Sequence, residues 1–234
     1  MVSARHSKRY RAIKAKVQAK SYDLAEAVGF IKEQPAIKFD ETMDIAFRLG
    51  VDYKKSEQTV RGTVSLPHGT GKRLRVLAFA TGSAAEAARA AGADFVGFED
   101  LIAKIQGGWT EFDVAIATTE AMKEVRKLGK FLGPRGLMPN PKTGTVTDDL
   151  ASAIKQFKAG RVEFRMDRHG NVMVPFGKRS FEAAKLAENA NVIIEAVLAA
   201  RPAAAKGVFV KRCVVSSTMG VGLPVQVKET LSSD

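Results

Sequence analysis

Histidine, cysteine and paired carboxylates are the side chains best suited to catalysis or metal binding, and this chain of 234 residues has few of them. Its three histidines and its single cysteine are widely separated, at His6, His68, His169 and Cys213. None lies at metal-ligand spacing from another or beside paired carboxylates. The sequence therefore predicts no metal centre, no cofactor and no nucleophile-base pair, and we expect a protein that is not an enzyme.

Two glycine-containing segments could bind a phosphate group. The stretch from His68 to Arg73, HGTGKR, resembles a phosphate-binding loop, but that motif needs glycine where Leu66 stands and Ser or Thr where Arg73 stands. The segment Thr81-Gly82-Ser83 could bind an anion at a helix N-terminus, or its glycine could simply make a turn. We predict an interdomain turn at His68 and keep, as the alternative function, a nucleotide-dependent enzyme that acts on nucleic acid.

The segment Lys127 to Thr147, KLGKFLGPRGLMPNPKTGTVT, combines glycines and prolines with charges that are all positive. Since proline fixes φ and removes a backbone donor while glycine admits positive φ, their alternation disfavours a helix or a central strand. We predict an exposed auxiliary basic loop over residues 129–144, whose cations Lys130, Arg135 and Lys142 suit a phosphate-rich partner. A well-solvated connection is the alternative.

The overall charge also indicates a polyanionic partner. The chain has 37 basic and 25 acidic residues, a formal net charge of +12 and a pI near 9.9. Nucleic acid is the first candidate, ahead of an acidic membrane surface or an acidic protein. The basic first twenty residues do not resemble a secretory signal, and no apolar run approaches a membrane span. A single cysteine suits a reducing compartment, so we expect the cytoplasm.

Three further segments have side chains that suit RNA. Lys38-Phe39 offers a cation for a phosphate and a ring for a sugar or base, unless Phe39 belongs to the core. Lys54-Lys55 lies in a predicted turn, where solvated charge is the alternative. Ser216 to Gly220, SSTMG, offers three hydroxyls, a flexible apolar side chain and a glycine that permits close backbone approach. A plain strand end would have the same pattern.

The central part of the chain, roughly Lys72 to Lys158, alternates strands with helices. The predicted strands are LRVLAFA from Leu74, the short run at Phe95 and DVAIAT from Asp113. The predicted helices begin at Ser83, which we expect to act as a cap, at Glu99 or Asp100, and near Glu120. Adjacent acids at 99–100 and 148–149 suit helix starts because of the helix dipole. This alternation predicts a parallel sheet covered by helices.

The two flanks have a different pattern, that of an α+β domain. We predict strands over residues 44–52, 60–66 and 207–218, and amphipathic helices over residues 23–34 and 180–200. Arg161 to Phe176 is typical of a hairpin that turns at Arg168, His169 and Gly170. In its first arm Val162, Phe164 and Met166 share one face, opposite Arg161, Glu163, Arg165 and Asp167.

The α/β pattern lies inside the α+β pattern, so we infer an inserted domain. Residues 1–67 and 160–234 would form a discontinuous α+β domain, and residues 68–159 a three-layer α/β domain joined to it by two chain passages. The discontinuous part carries a formal net charge of +9 and the insert +3, which favours the former as the main RNA surface. A small-molecule sensor that closes at its hinge also fits two chain passages, but it leaves the +9 unexplained.

Long motifs in one order give the chain a resemblance to the bacterial L-one family of large-subunit ribosomal proteins. They begin at Ser7, Ala36, Val60, Gly92, Leu132, Ala159 and Ser217 and read SKRYRA, AIKFDET, VRGTVSLPHGTGK, GADFVG, LGPRGLMPNPKTGTV, AGRVEFR and STMG. The resemblance implies a discontinuous α+β domain that holds the principal rRNA site, with an inserted Rossmann-like domain joined by a hinge. It also implies a cytoplasmic protein of the ribosome's mobile side stalk.

The same resemblance implies the function and the partners. The protein would bind rRNA of the large ribosomal subunit and assist release of deacylated tRNA from the exit site. It would also repress translation of its own mRNA by binding a leader that mimics the rRNA site. The family further implies no membrane association, and we expect the free protein to be a monomer.

Carried over by motif, the resemblance implies a set of RNA-binding residues on the α+β domain. Glu26 would fix backbone or sugar hydroxyls, Phe39 and Met219 would pack against the RNA, and Thr218 and Gly220 would contact ribose and backbone. The full set is Glu26, Lys38, Phe39, Lys54, Lys55, Arg165, Asp167, Arg168, Ser217, Thr218, Met219 and Gly220, with the cations lying nearby. Many relatives have proline after the Met-Gly pair, where this chain has Val221, so we expect a less fixed chain direction beyond Gly220.

Overall fold

The structure is a computed structural model that describes residues 6–35, 37–52 and 55–227. The predicted RNA-binding residue Lys54 and the last seven residues lie outside the described residues. The chain divides into two compact units, unit 1 (Met1–Gly71 and Val162–Asp234) and unit 2 (Lys72–Arg161). Unit 1 is therefore built from both flanks of the sequence and unit 2 from one continuous stretch.

The helices of the described residues are α1 (Lys8–Lys16), α2 (Leu24–Glu33), α3 (Gly82–Ala90), α4 (Glu99–Gln106), α5 (Met122–Val125), α6 (Gly129–Leu132), α7 (Leu150–Ala159) and α8 (Ala183–Ala199). The strands are β1 (Thr42–Leu49), β2 (Arg61–Ser65), β3 (Val76–Phe79), β4 (Phe95–Gly97), β5 (Val114–Ala117), β6 (Arg161–Arg165), β7 (Asn171–Lys178), β8 (Val210–Ser217) and β9 (Leu223–Val225). Short 3₁₀ turns cover Ser56–Gln58, Arg126–Leu128 and Pro141–Thr143.

The main sheet of unit 1 is antiparallel, with strand order β7-β1-β8-β9. Alternate residues of β1, Met43, Ile45 and Phe47, are buried and point into one core together with the apolar faces of α2 and α8. Asp23 caps α2 by accepting a hydrogen bond from the Ala25 amide. The predicted helices over 23–34 and 180–200 and the predicted late strand are therefore confirmed, with slightly shorter bounds.

The predicted hairpin between residues 161 and 176 is wrong, because its two strands belong to different sheets. β6 pairs with β2, and β7 pairs with β1. The turn between them is held by Asp167, whose Oδ1 accepts hydrogen bonds from the amides of His169 (2.7 Å) and Asn171 (2.8 Å). The predicted burial pattern of the first arm is confirmed, since Phe164 and Met166 are buried while Glu163 and Arg165 are exposed.

Unit 2 has a parallel sheet of strand order β4-β3-β5, and Val146 makes a further parallel bridge to Ala117 at its edge. Leu77 and Phe79 face one cluster of buried side chains, with α4 and the short helices, while Val76 and Ala78 face another, with α3 and α7. The predicted mixture of α and β structure and the predicted parallel sheet are confirmed. Helix α3 has Thr81 at its N-cap position, so the predicted cap Ser83 is a helical residue.

The glycine- and proline-rich segment is less open than its composition predicted. Residues Gly129–Leu132 are helical, and Leu128 and Leu132 are completely buried. These leucines, four residues apart, share one helical face and pack against Phe112 and Val125. Farther along, the buried hydroxyls of Thr143 and Thr145 lie 3.0 Å apart. The exposed residues are those from Gly133 to Gly136, isolated cations, Phe131 and Pro141.

Candidate nucleic-acid interface

The turn after β8 is supported from below by the carboxylate of Glu41, which is 1% exposed. Glu41 directly precedes β1, and β1 pairs with β8 so that Met43 lies opposite Ser217. Its Oε1 accepts hydrogen bonds from the Ser217 hydroxyl (3.1 Å) and from the Met219 amide (2.9 Å). Pairing of β1 with β8 therefore brings an acid from residue 41 under a turn more than 170 residues later.

Arg179 balances the charge of Glu41 from the end of β7. Its Nη1 donates to Glu41 Oε2 at 2.7 Å, and its backbone amide donates to the Glu41 carbonyl at 2.8 Å. Burial by itself raises the pKa of Glu41, but the hydrogen bonds from Arg179, Met219 and Ser217 outweigh it and the pKa is lowered from its ordinary value of 4.5. The carboxylate is therefore ionised at neutral pH although it is buried.

Thr218 and Gly220 fix the shape of the same turn. The Thr218 amide donates to the Thr42 carbonyl (3.0 Å), and the Thr218 hydroxyl accepts from the Thr42 amide (3.1 Å). At Gly220 a Cβ atom would lie 2.4 Å from the Ser217 hydroxyl oxygen, so a side chain would push that hydroxyl away from Glu41. Glycine is therefore required here by close packing.

Around this turn lies an open groove with two exposed apolar side chains, Phe39 and Met219, each 54% exposed. The exposure of Phe39 excludes the alternative that it is a core residue. Arg9 on α1 donates to the Met219 carbonyl at 2.6 Å, and Ile13 on the same helix is buried, which anchors the helix. The remaining residues that line the groove are His6, Ser7, Tyr10, Ile37 and Lys38. The groove thus offers cations, rings and a thioether together.

Ser217 has an internal position within the predicted site. It is 5% exposed, and its hydroxyl donates a hydrogen bond to the Glu41 carboxylate. The next residues, Thr218 and Met219, are exposed. Ser217 is therefore a support for the surface, whereas Thr218 and Met219 form it.

The predicted cations Lys55, Arg165 and Arg168, with Asp167, do not lie near this groove. All four are exposed. Arg165, Asp167 and Arg168 precede Asn171, which pairs with Arg48 at the far end of β1, and Lys55 follows that same end of the strand. Arg48 lies six positions along the strand from Thr42, a distance of about 20 Å. The expectation that they lie near the turn is therefore wrong. Asp167 is in addition occupied by the turn, and hydrogen bonds from Asn171 and His169 lower its pKa against the opposing effect of burial.

Glu26 is not among the residues that line the groove. It is in the first turn of α2, where it forms an exposed ion pair with Lys20 at 2.6 Å. The far end of the same helix contacts Arg179, which bonds the Lys32 and Gln34 carbonyls. Phe30, one turn farther along the helix than Glu26, lines a cleft with Arg9 and Gly220. The structure therefore brings together Lys38, Phe39, Thr218, Met219 and Gly220, and places Glu26 on the neighbouring helix α2.

The auxiliary basic loop belongs to unit 2. Lys130 is exposed on α6, and the exposed Arg135 donates a hydrogen bond to the Thr110 hydroxyl. The side chain of Lys142 lies outside the described residues. The two described cations are available to an anionic partner of unit 2.

Three residues at the groove were missed by the sequence-based prediction of the site. Arg9 belongs to the basic first twenty residues, and Glu41 and Arg179 are not among the predicted site residues. Glu41 and Arg179 are 138 residues apart in sequence. No local pattern indicates that they pair, because the contact is made by β1 and β7 lying side by side. Only for Arg9 did the sequence carry a signal, the positive charge of the N-terminal segment.

The chain beyond Gly220 is well defined, contrary to the expectation raised by Val221. Val221 is largely buried, and β9 pairs antiparallel with β8, with Leu223 opposite Val215. A Cβ at Gly222 would lie 2.9 Å from a methyl of Val214. Pairing of β9 with β8 therefore fixes the direction of the chain after Gly220 without a proline at position 221.

The side chains that could be reactive, including His6, His68 and Cys213, make structural contacts. His6 stacks on Tyr10, and His68 Nε2 lies 2.6 Å from a Glu188 carboxylate oxygen. Burial raises the pKa of the Cys213 thiol to about 12, so it is not a thiolate at neutral pH. Among the residues that the structure describes, no cluster of His, Cys, Asp and Glu is arranged to hold a metal ion. Nor does this part of the chain contain a helix long and apolar enough to cross a membrane.

Known proteins resemble this chain over nearly its whole length. The profile of the ribosomal protein L1p/L10e family matches residues 31–221. The large ribosomal subunit protein uL1 of Pseudarthrobacter chlorophenolicus is 55% identical over 228 residues, which is 97% of each chain. The uL1 proteins of Kocuria rhizophila (54% over 229 residues, 97% of each chain) and Thermosipho melanesiensis (54% over 223 residues, 94% of this chain and 96% of the relative) are similarly close. The family resemblance drawn from the motifs is confirmed.

Proposed function

Because the chain belongs to the ribosomal protein L1p/L10e family, we propose that it is a component of the large ribosomal subunit that binds ribosomal RNA through unit 1. Membership of this family makes the chain a ribosomal protein and not an enzyme. The observation that carries the proposal is the groove around Met219. There, exposed Phe39 and Met219 lie beside Arg9 and Lys38, and the turn that carries Met219 is held by hydrogen bonds to the buried Glu41 carboxylate.

The chemistry of this groove suits RNA better than the other polyanions. Cations can neutralise phosphates, and an exposed ring and thioether can pack on ribose or an unstacked base. The RNA we propose is the rRNA of the mobile side stalk, and the discontinuous α+β unit would hold it while an inserted Rossmann-like unit 2 moves about a hinge. We propose that the protein is located in the cytoplasm, on the ribosome.

We propose two further roles that rest on the same surfaces. The messenger leader that mimics the rRNA site would occupy the Met219 groove, so rRNA and leader would compete and the protein would repress its own translation. Exit-site tRNA would need a second RNA surface, and the cations Lys55, Arg165 and Arg168 at the opposite end of β1 are exposed and far enough away to supply one. That surface would assist release of deacylated tRNA.

The proposal predicts that Met219→Ala weakens binding to large-subunit rRNA by about 1 to 2 kcal/mol, because the buried apolar contact with RNA is lost. Met173→Ala is the matched control, since Met173 is another exposed methionine on unit 1, in β7. Filter binding over a range of salt concentrations measures both, and log K should fall by roughly 0.7 to 0.9 per neutralised phosphate for each log unit of salt. Equal affinities for the two variants would remove the groove from the RNA site, and a flat salt response of the parent protein would contradict RNA binding.

A further inference from the structure

Glu41 and Arg179 form a buried ion pair beneath the Met219 groove. Their side chains meet at 2.7 Å and are 1% and 12% exposed. Removing two charges from water costs free energy that their attraction offsets only when geometry and additional hydrogen bonds are good. A buried pair is therefore weak evidence for a role in stability, and what its atoms contact is more informative.

The hydrogen bonds of the pair connect the turn to the end of a helix. One Glu41 oxygen holds the Ser217 hydroxyl and the Met219 amide, and the other holds Arg179. The guanidinium of Arg179 also donates to the carbonyls of Lys32, Gln34 and Pro35, which end α2. Those carbonyls lack helical partners, so the cation satisfies them. One charge pair thus fixes the turn against the helix.

We infer that Glu41 and Arg179 are positioning residues of the proposed rRNA site, which hold Ser217–Gly220 in the shape that RNA recognises without touching the RNA themselves. The inference rests on the proposed function. Its physical basis is preorganisation: a turn already fixed before binding loses little conformational freedom when RNA docks, so more of the contact energy remains as affinity. The groove side chains Thr218 and Met219 supply the contacts, and the buried pair keeps them in place.

The test is a filter-binding comparison of the full-length parent protein, Glu41→Gln and Glu163→Gln on large-subunit rRNA. Glu163 pairs with Arg61 at 2.7 Å, so both variants break a Glu–Arg pair in unit 1 and both raise the net charge by the same amount. Simple electrostatics predicts that both changes strengthen binding to a polyanion. Positioning predicts that Glu41→Gln weakens it roughly 10- to 100-fold while Glu163→Gln does not, because only the former frees the turn.

A double-mutant cycle distinguishes positioning from a general structural effect. If Glu41 acts through the turn, Glu41→Gln should weaken binding less in a Met219→Ala background than in the parent, because the Met219 contact is already lost there. A loss caused by general destabilisation would persist in full in that background. The slope of log K against log salt should be the same for Glu41→Gln and the parent, since the phosphate contacts are retained.

The outcomes separate this inference from the proposed function. Failure of the parent protein to bind rRNA would refute the function. Binding by the parent together with parent-like affinity of Glu41→Gln, or a loss fully retained with Met219→Ala, would overturn the inference alone. Should Glu41→Gln fail to fold, Ser217→Ala provides the same test, because this buried hydroxyl contacts Glu41 and its removal should weaken binding several-fold. Parent-like binding by a folded Ser217→Ala would then overturn the inference.

Discussion

At the scale of single residues, Glu41 and Asp44 show how local partners decide the charge of an acid. The two lie three positions apart near the same end of β1. Burial tends to raise the pKa of both, but Glu41 receives hydrogen bonds from Arg179, Met219 and Ser217, and its pKa is lowered. For Asp44, the charge of Lys178 offsets the effect of burial only in part, so the pKa of Asp44 is raised. One acid is stabilised in its ionised form and the other is penalised.

These opposite shifts predict opposite pH dependence for two amide substitutions. Because the pKa of Glu41 is lower in the folded state than its ordinary value of 4.5, its ionisation stabilises the folded state above about pH 4.5. This contribution is lost as pH falls through the lowered pKa. Glu41→Gln should therefore be less stable than the parent at neutral pH, by about 1 to 3 kcal/mol, with a smaller deficit in acid. Asp44 destabilises the folded state as pH rises through its raised pKa, so Asp44→Asn should be more stable than the parent at neutral pH.

Urea unfolding of the three proteins from roughly pH 3 to pH 7 measures these differences, and carboxylates common to all of them cancel. Differences independent of pH for both variants would contradict the assigned ionisation.

At the scale of elements, helix α8 holds the segment through which the chain leaves the first part of unit 1. Asn189 on this helix is completely buried, and its Nδ2 donates to the carbonyls of Phe176 (2.8 Å) and Gly69 (3.0 Å). Its Oδ1 accepts from the His68 amide at 3.2 Å. The segment predicted as an interdomain turn is therefore fastened to α8 by one amide side chain. This bonding satisfies backbone groups that the sheet does not reach.

Loss of this amide should be costly. Asn189→Ala is expected to lower the free energy of unfolding by about 1 to 3 kcal/mol, because buried backbone donors and acceptors lose their partners. Asn191→Ala, at an exposed position of the same helix, should change it by no more than about 0.5 kcal/mol. Denaturant titration of both variants checks the difference. Equal stabilities would show that water replaces the Asn189 bonds without cost.

At the scale of the whole molecule, each described cluster of buried apolar side chains draws on one unit alone. The largest is built from both flanks of the sequence, from Tyr22 to Val225, with every member in unit 1. The two clusters of unit 2 lie on opposite faces of its parallel sheet. A set of residues with its own core has the main requirement for independent folding.

Unit 1 should therefore fold and bind rRNA without unit 2. A protein in which residues 72–161 are replaced by a flexible Gly/Ser linker should unfold in one cooperative transition and retain rRNA binding. The slope of log K against log salt should equal that of the full chain if no cation of unit 2 contacts RNA. If cations such as Lys130 and Arg135 contact phosphates, the slope should be shallower without unit 2. A folded unit 1 that no longer binds rRNA would show that the site requires unit 2.

Much of the fold could be predicted because the sequence carries it locally. The period of apolar residues predicts the long helices and the parallel strands, and charged or small residues mark their ends, as Asp23 does for α2. The hairpin prediction failed because strand pairing is not a local property: β6 and β7 are adjacent in sequence yet pair with β2 and β1. The basic loop is less exposed than predicted because Leu128 and Leu132, four residues apart, pack against Phe112. The glycines and prolines around these leucines do not indicate a helical apolar face.

The sequence by itself determined the family, the excess of positive charge and the segments Lys38-Phe39 and Ser216–Gly220, because motifs and charge are properties of residue order. Only the tertiary structure decided which of these segments meet. Pairing of β1 with β7 and β8 brings Glu41, Arg179 and Ser217 together and leaves Arg165 and Arg168 about 20 Å away. The physical reason is that strand register sets distances between residues far apart in the chain, and register depends on how two faces pack into one core.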